Sequence, residues 1–282
     1  MCVGVLSGSG SAILIRFAEG AHPLAISFWR CAVGAAMLAP FGRRGFTRLT
    51  RQGSILPLVA GAFLAVHFAS WISSLQLTTI AIPVLLITTT PVFTALAARY
   101  LFKEKLRGAV WIGIVLTVLG AALIAAAQDG RSEATLAGSA LALLGAVTLG
   151  GYTVAGEVSR RRLGIVEYAV VTYGAAALLL LAACLVAGAR LTGYPGSTWL
   201  ALAGIVVGPQ LLGHTVLNFV LRALDSTTVT VAVMAEPPIA IGLAFLFFAE
   251  APPLTIYPAG ALILAGILLV SLNRGRVPEV IE

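Results

Sequence analysis

Charge is scarce in this chain: Asp, Glu, Lys and Arg make up 10% of its 282 residues, against 59% hydrophobic residues. Soluble domains carry about a quarter charged residues. That shortage, with a mean hydropathy of +1.01, excludes an ordinary water-soluble domain and makes lipid the main solvent of the fold. Cysteine is nearly absent too. Cys2, Cys31 and Cys184 fall in or near apolar stretches at spacings that match no metal or redox motif, and read as packing residues. No HExxH, paired-aspartate or serine–histidine pattern occurs, so the sequence offers no hydrolytic or metal-dependent signature and no cofactor is expected. The N-terminus lacks a basic region and a small-residue cleavage site, which argues against a cleavable signal. The first apolar stretch begins almost at Met1: either this is the true start or a few residues precede it.

What the chain has instead is length of hydrocarbon. Ten apolar stretches cover about 2–18, 24–40, 55–76, 81–101, 109–127, 136–156, 165–187, 198–221, 227–248 and 254–272, numbered 1 to 10 below. Each is long enough to cross about 30 Å of bilayer as a helix rising about 1.5 Å per residue. Spanning strands would show about ten alternating residues instead, so the fold class expected is an all-α integral membrane protein of ten transmembrane helices.

The basic residues alternate with these stretches. Arg43, Arg44, Arg48 and Arg51, Lys103, Lys105 and Arg107, Arg160, Arg161 and Arg162, Arg222, and Arg274 and Arg276, thirteen in all, follow stretches 2, 4, 6, 8 and 10. The other loops offer Arg131 and Arg190. This is the positive-inside bias, which puts both termini in the cytoplasm and makes the +7 net charge a matter of topology, with no nucleic-acid partner expected.

An internal repeat is visible at a constant offset. His67 and His214 are 147 residues apart, and the pairs Pro91/Pro237, Glu104/Glu250 and Gly120/Gly266 are each 146 apart. Two five-stretch repeats, 1–128 and 129–282, are expected, joined near Gln128 to Glu133. A repeat with an odd number of crossings must have a copy of opposite topology, the arrangement on which alternating access is built.

These features resemble the drug/metabolite transporter superfamily in its EamA-type ten-helix branch. The resemblance covers essentially the whole chain. It rests on HPLAISFWR with Pro23 and Arg30, on the spacing of Ala81, Leu86 and Pro91, on Glu104 and Glu250 closing stretches 4 and 9, and on the duplication. Family members commonly carry several more residues before the first helix. The resemblance implies secondary transport, often export, of amino acids, metabolites or drug-like molecules, and the expected location is the cell's inner membrane.

Candidate site residues are those costly to hold in lipid. Of eleven acidic residues only Glu236 lies well inside a stretch, beside Pro237 and Pro238, which should kink the helix and free carbonyls. It is either a proton or cation site or a protonated carboxyl used for packing. Pro91 marks the corresponding kink in stretch 4, near the bilayer midplane. Gln210, His214 and Asn218, four apart, should share one helical face, as a polar cavity wall or as interhelical glue. His67 and Trp71 form a similar pair in stretch 3, suited to an amino-acid or aromatic solute or else to packing. Arg30 could bind a carboxylate or tie helix ends through carbonyls, and the resemblance favours the structural role. Tyr152 is a cavity hydroxyl or an interfacial tyrosine.

Ser7 to Ser11 (SGSGS) strip bulk from stretch 1 for close approach of another helix or of substrate, and lack the context of a serine protease. Stretches 5 and 10 look like scaffold helices that could also meet a second copy. The expected function is a proton-coupled or facilitative exporter around a cavity lined by stretches 1, 3, 4, 6, 8 and 9. The alternatives are an intramembrane enzyme built on His67, His214 and Glu236, or a passive channel, for which no ring of charge is present.

Overall fold

The computed structural model describes residues 2–42, 51–101, 103, 106–126, 133–224, 226–252, 254 and 256–273. Glu104, the join near residue 128 and the basic residues Arg43, Arg44, Arg48, Lys105, Arg131, Arg274 and Arg276 lie outside them. The described residues are helical nearly throughout, with no strand among them. The helices are α1 (Cys2–Ser9), α2 (Ser11–Phe17), α3 (Pro23–Leu38), α4 (Arg51–Leu77), α5 (Ala81–Ile87), α6 (Thr90–Leu101) and α7 (Gly108–Ala126). There follow α8 (Glu133–Arg160), α9 (Ile165–Val186), α10 (Gly196–Ile205), α11 (Val216–Val220), α12 (Ser226–Ala232), α13 (Glu236–Phe248) and α14 (Ile256–Leu272).

Among the described residues six segments are, by length and composition, long and apolar enough to cross a membrane: Pro23–Gly42, Ile55–Leu77, Ala81–Leu101, Thr135–Arg160, Ile165–Val186 and Gly196–Val220. Cys2–Phe17, Gly108–Ile124, Val233–Phe248 and Ile256–Leu272 are shorter apolar helices. A 17-residue rod such as Ile256–Leu272 reaches about 25 Å, a few ångströms less than the hydrocarbon thickness. The large apolar side chains on the outside, among them Val186, Leu200 and Leu246, make a surface that water would not tolerate and lipid would. The chain is therefore a multi-pass membrane protein.

Four of the apolar stretches are broken rather than continuous. Stretch 1 is interrupted at Gly10, stretch 4 at Thr88 and Thr89, and stretch 9 by a short 3-10 turn at Val233–Ala235. Stretch 8 widens into a π-helical segment, Val206–Thr215, around Pro209. The unbroken rods pack around these. α4 lies along α8 and α9, α3 along α9, and α1 along the π-helical segment, while α13 meets α5 and α12 meets α6.

The pairing of α7 with α14 depends on missing side chains. A Cβ on Gly113 would run into the carbonyl of Gly266, and one on Gly266 into that of Gly113. A Cβ on Gly120 would come within 2.6 Å of the Ala259 carbonyl. The backbones touch because lipid gives apolar side chains no reason to leave it, so close packing has to hold helices together. Gly266→Val should cost about 1–3 kcal/mol by forcing these two helices apart. Gly242→Val, where nothing lies within 4 Å of a Cβ, is the control. Thermal unfolding in detergent should show a clear drop in midpoint for the first variant and little change for the second; equal midpoints would contradict the close contact.

Candidate functional site

The breaks are stabilised by the residues that cause them. Pro91 has no amide hydrogen, so the carbonyl of Ile87 loses its helical donor. Thr90 replaces it, donating its hydroxyl to the Ile87 carbonyl at 2.6 Å, and also reaches the Ala146 carbonyl on α8 at 3.3 Å. Thr88 and Thr89 donate in the same way to Leu85 and Leu86, at 2.6 and 2.7 Å. Pro91 therefore lies in the first turn of α6, not at a bend inside one continuous helix. Pro237 and Pro238 likewise occupy the first turn of α13, which Glu236 opens. First-turn prolines are well tolerated, and the expected kinks are local breaks in the α-helical hydrogen-bond ladder, across which Thr88 and Ala235 keep right-handed helical backbone.

These interruptions surround a cavity of about 820 Å3, counting its mouth. Its walls come from stretches 1, 3, 4, 6, 8 and 9, the set expected from the sequence. Six of the candidate residues line it: His67, Trp71, Tyr152, His214, Asn218 and Glu236. Their rings form a cluster. The imidazole of His67 stacks on the Trp71 indole, 6.2 Å between centroids at 12°, and faces His214 at 6.1 Å. Tyr152 stands 5.9 Å from His214. His67 Nδ1 lies 2.9 Å from the Gly145 carbonyl. A carbonyl can only accept, so the proton is on Nδ1 and Nε2 of the neutral ring remains an acceptor. Asn218 donates from Nδ2 to the Tyr152 hydroxyl and, at 2.7 Å, to the His214 carbonyl.

Glu236 faces the wall made by α1. A Cβ on Gly8 would overlap its carboxyl group, so the glycine is what leaves that carboxyl its place. The SGSGS string thus serves close approach by a side chain of α13. The carboxyl makes no hydrogen bond or ion pair with a described residue.

Gln210 and Arg30 do not line the cavity. The i→i+5 ladder of the π-helical segment breaks the four-residue register, so Gln210 turns away from His214 and Asn218 toward α3. There it lies over Gly34 and accepts from Arg30 Nε at 2.9 Å. The Arg30 guanidinium rests 3.7 Å from the centroid of Phe68, whose ring packs edge-on against His214 at 5.1 Å. Arg30 is thus a buried residue joining α3, α4 and the π-helical segment behind the cavity.

Reading residues singly missed Thr88, Pro209 and Thr153, which also line the cavity. The Gly208–Pro209 pair inside stretch 8 was the available signal, since it breaks a helix wherever it falls. Among the described residues no three His, Cys, Asp or Glu side chains come together as a metal site, so the His67, His214 and Glu236 alternative has no metal-binding geometry.

Gly8→Ala tests the seat of Glu236. The atoms it displaces are the far end of a flexible side chain, so the thermal midpoint should stay close to that of the parent while solute uptake into proteoliposomes falls several-fold. An unaltered uptake rate would mean that the position of the carboxyl is unimportant.

Comparison with known proteins places this geometry. The chain is 22% identical over 264 residues to an uncharacterized transporter, YdfC, of Bacillus subtilis, covering 93% of this chain and 86% of that one. It is 29% identical over 190 residues to a probable terminal-alkyne amino-acid exporter of Streptantibioticus cattleyicolor, covering 66% of this chain and 62% of that one. To the pseudopaline exporter CntI of Pseudomonas aeruginosa it is 26% identical, covering 93% of this chain and 90% of that one. A crystal structure with 22% identity shares the fold at a TM-score of 0.70, over 96% of this chain and 94% of that one. The profile of the EamA-like transporter family matches twice, over residues 1–126 and 136–272, and the chain belongs to that family of membrane transporters.

Proposed function

We propose that the protein is a secondary transporter that exports small metabolites, such as amino acids or drug-like compounds, by alternating access around the cavity. The observation that carries this reading is the coincidence of the helix breaks with the cavity wall: stretches 1, 4, 8 and 9 are each interrupted where they border it. Interruptions at one depth let the two ends of a helix move separately around a fixed site. Two relatives bear exporter names, one for an amino acid and one for pseudopaline, and these favour the outward direction.

In this proposal the ten stretches are ten transmembrane helices in two inverted five-helix repeats, with both termini cytoplasmic in the cell's inner membrane. The packing supports it. Exchanging the halves turns the contact of α4 with α8 into that of the π-helical segment with α1, and the contact of α4 with α9 into that of the π-helical segment with α3. The pairs α3–α9 and α7–α14 map onto themselves. The double match of the family profile fits the same division.

Ties at the two ends suit gates. At the far end of α13, Arg16 pairs with Glu250 at 3.2 Å and donates to the Thr78 carbonyl at 2.7 Å. The other Glu250 oxygen accepts from the Ile80 amide at 3.0 Å. This set joins stretches 1, 4 and 9. At the other end Glu157 accepts from the Ser226 amide at 2.9 Å and pairs with Arg161 at 3.0 Å, which joins stretches 6 and 9.

Protons are the proposed coupling ion and Glu236 their carrier. A metabolite panel screened for thermal stabilisation of the purified protein should identify a ligand, since binding to the native state raises its stability. In proteoliposomes a pH gradient should drive uptake of that ligand, and Glu236→Gln should abolish the response to the gradient while the protein stays folded. A Gln variant with unaltered pH dependence would refute the coupling role. For topology, in a background without Cys2, Cys31 and Cys184, a cysteine at position 190 should react with an impermeant thiol reagent from outside the cell and one at 161 should not; the reverse pattern would invert the proposal.

A further inference from the structure

Few residues of the cavity wall offer surface to a solute. Thr88, Thr90, Thr153 and Thr230 donate their hydroxyls to carbonyls of their own stretches, at 2.6 to 2.9 Å. Asn218 is engaged with Tyr152 and the His214 carbonyl, and Nδ1 of His67 with Gly145. Of the wall residues Gly8, Leu149, His214, Leu217, Val233 and Glu236 are half-buried, and the rest are buried. The reachable wall is therefore two polar side chains, three apolar ones and a glycine.

These groups are segregated. A Cβ on Gly213 would stand 3.7 Å from the Gly8 amide nitrogen, so His214, next to Gly213, and Glu236, seated on Gly8, enter the cavity at one level. His67 faces His214 at 6.1 Å and reaches the Gly145 carbonyl, which brings Gly145 of α8 near that level too. About one helical turn away come Leu217 after His214, Val233 before Glu236 and Leu149 after Gly145. Stretches 6 and 8 cross in one direction and stretch 9 in the other, so the three displacements point the same way. Leu221 and Val229, a turn further on, continue the apolar wall.

We propose that the cavity holds a linear amphiphile, its polar head between His214 and Glu236 and its apolar tail along Leu149, Leu217 and Val233. The inference rests on the solute site and the crossing order proposed above. The ligand class is small solutes whose polar atoms are confined to one end, such as amino acids with unbranched or aromatic side chains. Polyols and sugars are excluded, because hydroxyls along the tail would lose water and find only apolar side chains. The tail points to the end of the bundle where stretches 6 and 8 finish, the cytoplasmic end in the proposed topology, so the head leads on the way out.

Two homologous series test this: the 2-amino acids from 2-aminobutyrate to norleucine, and the 1,2-diols from butanediol to hexanediol. Binding to the full-length protein is followed by the fluorescence of Trp71 after Trp29, Trp111 and Trp199 are replaced by Phe, with the thermal midpoint as the check on folding. Each added methylene should tighten binding about three- to fourfold in both series. A hydroxyl at the end of the tail, as in 6-hydroxynorleucine, should weaken it about tenfold or more. Val233→Thr, which keeps the shape of the side chain, should reduce the preference for norleucine over 2-aminobutyrate by about threefold or more. Glu236→Gln should change the affinity of every member by a common factor and leave the dependence on length intact. Affinity independent of tail length, 6-hydroxynorleucine binding as tightly as norleucine, or no binding in either series overturns the proposal. If the long-tailed members bind but do not cross proteoliposome membranes, the amphiphile site stands and the transport reading falls. If sorbitol is transported and tail length has no effect, the reverse holds.

Discussion

A backbone carbonyl or amide left unpaired in hydrocarbon costs roughly several kcal/mol, and this constraint governs where the helices of this protein can stop. A helix that breaks in the bilayer must find new partners for the groups it frees, or turn them to a cavity. The three consecutive threonines before Pro91 meet the demand locally, each hydroxyl returning to the carbonyl three residues earlier. Thr90 extends the repair across to α8 through Ala146. In stretch 9 no such run precedes Pro237, and the chain tightens into a 3-10 turn instead, placing Glu236 at the mouth of α13. The breaks, the cavity and the carboxyl of Glu236 in its wall are thus parts of a single solution.

The same constraint explains how far the sequence could be read. Apolar length and the alternation of basic loops expose the helices directly, because hydrocarbon imposes one residue type over twenty positions at a time. The prolines were legible as disturbances but not as boundaries, since nothing local says whether a proline bends a helix or starts a new one. Glu236, His67 and Tyr152 stood out because polar groups in lipid are expensive. Gln210 could not be told from His214 and Asn218, because α-helical spacing was assumed where the chain adopts π geometry. Gly8 is a different case: its part lies in an absent side chain, and only the approach of Glu236 from another helix reveals it.

Buried arginines follow a pattern of their own. Arg30 and Arg160 are among the largest fully buried side chains, and neither pairs with a carboxylate among the described residues. Arg160 donates to the carbonyls of Asn218 and Leu163, and Arg30 to an amide oxygen. A guanidinium spreads its charge over five donors and an extended plane, so carbonyls and an aromatic face can hold it where an ammonium would need an anion. Each arginine bridges elements that otherwise meet only through apolar packing, and Arg160 reaches the backbone of Asn218 itself. The cavity wall is therefore braced from behind by cations that do not enter it.

The two glutamates at the ends of the bundle, Glu157 and Glu250, occupy equivalent chemical roles with different partners. Each gives one oxygen to an arginine and the other to the amide that begins a broken helix, Ser226 in one case and Ile80 in the other. The ion pairs alone contribute under about 1 kcal/mol where they are partly exposed. Their weight lies in the amides, because a helix N-terminus concentrates unpaired donors and partial positive charge that a carboxylate satisfies together. Glu250 leaves α13 through Ala249, whose left-handed backbone, φ 52°, turns the chain back toward Arg16 and Ile80. Stretch 9 is consequently held at both ends while interrupted between them. On the proposed cycle, releasing one end need not disturb the other, and the break at Glu236 is where the difference in position between the two ends would be taken up.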